Sequence, residues 1–123
     1  LAAQEETKDL NVGLFGASTG GGAALVAAAE IPDRIKSVVS RGGRPDLAGR
    51  ALPRVKAPTL LIVGGDDIPV IAMNRDAYAQ MTAERRMEIV PGASHLFEEP
   101  GRLDVVARLA AEWFTRHLSR PPS

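Results

Sequence analysis

Residues Gly13 to Gly22 constrain this chain more tightly than any other stretch, because they force an extended run to turn at once into a helix. Within them Gly16-Ala17-Ser18-Thr19-Gly20 fits G-x-S-x-G, the pattern of a nucleophile elbow. Asn11-Val12-Gly13-Leu14-Phe15 ahead of it is a short, nearly continuous apolar run, and Ala23 to Ala29 behind it is a strong helix former. The motif therefore sits on the strand, turn and helix that its chemistry requires. A serine hydroxyl is a weak nucleophile until it is aimed and deprotonated. The turn lifts the side chain clear of the sheet, and its crowded backbone predicts that glycine is needed at both Gly16 and Gly20, where a Cβ would collide. The free N–H groups that open the helix, Thr19 first, would face a developing oxyanion. The competing reading is a phosphate-binding glycine loop. Its spacing departs from G-x-G-x-x-G, and the next strand ends at Ser40-Arg41, where a dinucleotide site wants an acidic residue.

A chain of 123 residues, 45% of them hydrophobic, is long enough for one domain with a modest core. Its 15 basic and 15 acidic residues cancel, and no basic patch interleaved with aromatics speaks for a nucleic-acid partner. With no cysteine and two distant histidines, neither a disulfide framework nor a metal cluster is expected. No apolar run approaches the length of a membrane span. The expected location is the cytoplasm, and no cofactor is called for.

Leu1 to Glu6 reads as the last turns of a helix and Thr7 to Leu10 as a polar connection. After the elbow helix, Ile31-Pro32-Asp33 stops the helical pattern, since proline cannot continue the ladder. Ile35 to Ser40 is a second strand, residues 41–46 a loop, and Leu47 to Val55 an irregular or short helical crossover. Pro58 to Val63 is apolar on both faces, as a central parallel strand should be. Residues 70–82 form an amphipathic helix, Arg86 to Val90 a strand nearer the sheet edge, and Pro91 to His95 the loop after it. Leu103, Val106, Ala107, Ala110, Trp113 and Phe114 trace the apolar face of a long closing helix. Four strands joined by helical crossovers imply an α/β fold: a parallel sheet of about four strands flanked by helices on both faces.

In such sheets ligands bind beyond the carboxyl ends of the strands. The loops at those ends hold Ser18, Asp67 and His95, in the chain order of an α/β-hydrolase triad. His95 follows a strand in a glycine-containing loop, with Leu96 and Phe97 behind it to line a pocket. His117 sits in the last turn of the closing helix, where a cation suits the dipole. Asp66 and Asp67 compete for the acid. Asp67 leads into the next helix, and Asp66 suits a turn-stabilising role. Arg41 and Arg44 follow the second strand, either as holders of an acidic substrate group or as solvated charges.

Taken together, Val12 to Gly20, Pro58 to Asp67 and Pro91 to Phe97 resemble the C-terminal half of an α/β-hydrolase, in the dienelactone-hydrolase-like branch. The resemblance implies hydrolysis of a small ester or lactone through an acyl-enzyme, with Ser18 as nucleophile, His95 as general base, Asp67 as orienting acid and Thr19 N–H as an oxyanion donor. Arg41, Ile68 and Phe97 are the candidate substrate-binding residues. Dienelactone hydrolases proper carry cysteine where this chain has Ser18, which favours a general ester substrate. The family also has about four strands before its elbow, including a loop that gives a second oxyanion donor. Residues 1–123 are therefore expected to be a single domain forming part of a larger hydrolase, or a chain that pairs with a copy of itself along the strand at residues 12–15. A catalytically silent module used for association is the alternative from another functional class.

Overall fold

The computed structural model describes residues 12–118. The helical turns expected over residues 1–6 and the connection over 7–10 lie outside them. Four strands, β1 (Val12–Ala17), β2 (Ile35–Arg41), β3 (Thr59–Gly64) and β4 (Arg85–Val90), form one sheet in the order β1-β2-β3-β4. Every pairing is parallel. Helix α1 (Thr19–Glu30) joins β1 to β2, α2 (Ile68–Gln80) joins β3 to β4, and α3 (Arg102–Leu118) closes the chain.

The central strand explains the sheet. All six residues of β3 are buried, with Leu61, Ile62 and Val63 fully so, and only a sheet covered on both faces can use such a run. Val38 of β2 belongs to a core shared with Leu25 and Ala28 of α1, Leu52, and Ala77 of α2. Its neighbour Val39, with Leu60 and Ile62, belongs to a second core against Val106, Ala110 and Trp113 of α3. Period-two alternation in β2 thus sends successive valines into opposite layers, and each such side chain contributes about 1.5–3 kcal/mol on burial.

The crossover after β2 is the short, irregular helix expected, here 3-10 over Pro45–Arg54, starting two residues early within the expected loop and broken where Gly49 adopts φ 49° and ψ −117°. Two expectations need correction. Helix α2 begins two residues earlier than its apolar spacing suggests, because Pro69 lies in its first turn, where the missing N–H costs nothing. On α3, Val106, Ala110 and Trp113 are buried, whereas Leu103 is 52% exposed and Ala107 also faces outward. Leu103 and Ala107 border an open hollow with Phe15 of β1 and Arg41 of β2.

Candidate active site

The sharp turn predicted at Ser18 is present in the backbone itself. Ser18 has φ 53° and ψ −125°, a conformation that L-residues adopt only when their surroundings impose it. Those surroundings are visible. The Ser18 N–H donates to the Arg41 carbonyl at 3.2 Å, and the Ser18 carbonyl accepts from the N–H groups of Gly21 and Arg44, each at 3.0 Å. The end of β2 and the loop after it therefore grip the elbow from both sides. A Cβ on Gly16 would meet the backbone of Gly20, but a Cβ on Gly20 would meet nothing within 4 Å. Only the first of the two glycines is sterically required, a correction to the expectation that both are.

His95 reaches this serine from the loop after β4. Its Nε2 lies 3.0 Å from Ser18 Oγ, and its Nδ1 lies 2.8 Å from Asp67 Oδ2. An ionised carboxylate only accepts, so Nδ1 donates to Asp67 and leaves the Nε2 lone pair facing the serine hydroxyl. Asp67 precedes α2 and its side chain is 13% exposed, against 40% for His95. Its backbone carbonyl accepts from the N–H groups of Val70 and Ile71 at 3.1 and 3.0 Å, which ties its backbone to the helix start. Asp66 turns outward, and only its N–H is engaged, with the Ala93 carbonyl at 3.0 Å. Of the two candidate acids, the structure brings Asp67 to His95.

The loop that carries His95 has its own braces. The Ser94 N–H donates to Glu99 Oε1 at 3.0 Å, and that bond holds the Glu99 carboxyl below the usual carboxylate range. Gly42, at φ 53°, runs close beneath His95, where a Cβ would come 3.2 Å from the His95 carbonyl oxygen. Sequence reasoning missed Glu99, because Glu98-Glu99-Pro100 has the appearance of a solvated charge run. It also missed Asn74, a buried polar residue on the inner face of α2 whose Nδ2 donates to the Gly43 carbonyl at 3.2 Å and the Val70 carbonyl at 2.8 Å. Its signal was an amide among the apolar positions of an amphipathic helix.

The remaining candidates divide. Thr19 is exposed and opens α1, so its N–H belongs to the first helical turn, where no intrahelical acceptor exists. Ile68 is 65% exposed beside Asp67. Phe97 is 1% exposed, at φ 58°, and packs into the α3-side core rather than presenting a wall to solvent; Leu96, 52% exposed, is the outward-facing residue of that pair. Arg41 lies with its guanidinium 5.7 Å from the Phe97 ring centroid and its Nη1 3.5 Å from the Leu96 carbonyl. Arg44 is engaged by Asp46 through two hydrogen bonds of 3.1 and 2.9 Å. His117 is remote from Ser18, its ring centroid 4.2 Å from that of Trp113. Burial lowers its pKa below the ordinary 6.5, so the cation expected at this helix end is disfavoured. Among the described residues no cluster of three or more potential metal ligands occurs, and no helix is long and apolar enough to cross a membrane.

The model of the dienelactone hydrolase family matches residues 1–119. The chain belongs to the dienelactone hydrolase family. Its structure superimposes on that of a dienelactone hydrolase from Anabaena variabilis with a TM-score of 0.92 and 65% identity, covering 96% of this chain and 55% of that one. A monoacylglycerol lipase from Paleococcus ferrophilus, 20% identical, superimposes with a TM-score of 0.77 over 91% of this chain and 71% of that one, a likeness of fold alone. The family's α/β-hydrolase architecture is therefore present here in part. A Mycobacterium tuberculosis protein named "Putative phosphoribosyl transferase" is 58% identical over 121 residues, which are 98% of this chain and 27% of that protein. The chain spans about a quarter of the length of the curated relatives it matches.

Proposed function

We propose that this member of the dienelactone hydrolase family is a serine hydrolase that cleaves a small ester or lactone through an acyl-enzyme. The observation that carries the proposal is the continuous chain from Ser18 Oγ to His95 Nε2 at 3.0 Å and from His95 Nδ1 to Asp67 Oδ2 at 2.8 Å, mounted on a strained elbow. In this reaction Ser18 Oγ attacks the acyl carbon and His95 Nε2 takes the hydroxyl proton. The tetrahedral intermediate collapses, the acyl–oxygen bond to the leaving group breaks, and His95 returns the proton to that alcohol. Water then repeats the sequence and frees the acid. In this reading Asp67 holds the imidazole in the tautomer that accepts at Nε2, and the Thr19 N–H, in the first turn of α1, donates to the oxyanion. A second oxyanion donor is assigned to the portion of the longer relatives' fold that this chain does not span; lacking one such donor costs about 10²–10³ in rate.

A phosphate-binding role for the glycine loop, the reading closest to the name of the M. tuberculosis relative, is less well supported. The amides of Ser18 and Gly21, which a phosphate cradle would use, are already given to backbone carbonyls that fix the elbow. Reaction of the full chain with a fluorophosphonate, followed by peptide mapping, tests the proposal. The added mass is expected on Ser18 and is lost in His95→Ala. Absence of labelling, or equal ester turnover by the native chain and Ser18→Ala, would overturn the reading in favour of a silent hydrolase-like module.

A further inference from the structure

Strand β4 ends the described sheet on the side away from β1, so the outward N–H and C=O groups of its alternate residues have no strand partner among the described residues. It contains neither proline nor glycine, and Arg86 and Ile89 stand exposed along it. Its two faces differ. Arg85 stacks on Tyr78 of α2, 4.3 Å from the ring centroid. Arg86 and Glu88 lie on the α3 side, where they border a hollow with Leu109, Glu112 and Trp113 and form an ion pair with each other.

We propose that β4 pairs antiparallel with β4 of a second copy of this chain, in the register centred on Met87. A two-fold axis perpendicular to the sheet relates strands in registers that pivot on a single residue. With Met87 as pivot, Arg86 lies opposite Glu88 of the second copy and Glu88 opposite its Arg86, while Arg85 faces Ile89. Sliding the pivot to Arg86 or to Glu88 sets like charge against like charge, which a sheet penalises. Charges on an open edge usually deter pairing. Here their order deters the neighbouring registers and admits the one in which they neutralise each other. The opposite edge offers no such code, since β1 (Val12–Ala17) carries no charged residue. The four described strands of each copy join in one sheet, with the α2 layers side by side on one face and the α3 layers on the other. Because the strands run antiparallel across the axis, the two Ser18–His95 sites open at opposite ends and share no residue. The inference is independent of the hydrolase reading.

Sedimentation velocity on the full chain tests it. The native protein is expected to dimerise in low salt and to weaken as salt screens the cross-strand charges. Arg86→Glu and Glu88→Arg alone each place only like charges across the axis, and each is expected to weaken association at least about tenfold. An equimolar mixture of the two variants regains a heterodimer, and the double exchange R86E/E88R regains the homodimer. Thermal melting of each variant checks that it folds. A monomeric native chain throughout, or single variants that associate as tightly as the native protein, would overturn the proposal.

Discussion

At the scale of the residue, the site rests on a small number of exclusive placements. Asp66 and Asp67 are chemically identical neighbours, yet only Asp67 meets His95. Asp67→Asn is therefore expected to lower ester turnover by about 10⁴ by releasing the wrong imidazole tautomer. Asp66→Ala should stay within a few-fold of the native rate; parity between the two variants in a steady-state assay would reverse the assignment. The glycines make a parallel contrast. Gly16→Ala drives a methyl into the Gly20 backbone and should cost both stability and serine labelling, whereas Gly20→Ala meets open space and should match or exceed the native melting temperature, by up to about 1 kcal/mol of helix propensity. Both glycines fit the motif equally well in the sequence. Motif matching records which residues a turn tolerates, and only the backbone path tells which of them it demands. The convergence of Ser18, Asp67 and His95 was legible because their chemistry, order and position at strand ends agree. Glu99 was not, because its significance depends on a bond to a backbone N–H that no spacing rule announces.

At the scale of the element, the clearest expectations followed from burial on two faces. Four consecutive apolar residues in β3 admit few alternatives, and Leu61 is fully buried. Leu61→Ala is expected to cost about 2–5 kcal/mol in urea unfolding. Leu103→Ala, beside Phe15 at an open hollow and half exposed, is expected to change stability by less than about 0.5 kcal/mol. Helical periodicity groups Leu103 with Val106 and Trp113, but it does not tell which of them the neighbouring elements cover. The end of α3 makes a different point. The His117 ring is largely buried against Trp113, and its Nε2 lies 3.6 Å from Glu84. Desolvation lowers its folded pKa below 6.5 despite that carboxylate, so the unfolded chain binds the proton more readily. Stability should hold above about pH 6.5 and decline as pH falls through that value. Comparing the pH dependence of the melting temperature in the native chain and in His117→Leu checks this; the same slope in both would assign the loss to other groups.

At the scale of the whole molecule, a four-stranded parallel sheet between two helical layers was legible from the alternation of apolar runs and crossovers, since parallel strands require covering helices. The kinked 3-10 crossover was less so, because Pro53 and Gly49 mark interruptions without fixing the path between them. Parallel strands also give the molecule two unlike poles. Every carboxyl end, with Ser18, Asp67 and His95, lies at one of them. At the other the Trp113 indole N–H donates to the Pro58 carbonyl at 3.3 Å, and His117 and Glu84 lie at the same pole. That division has a practical side: a tether, dye or fusion joined at the amino-end pole would leave the Ser18–His95–Asp67 cluster uppermost and accessible, whereas attachment at the carboxyl-end pole would cover it.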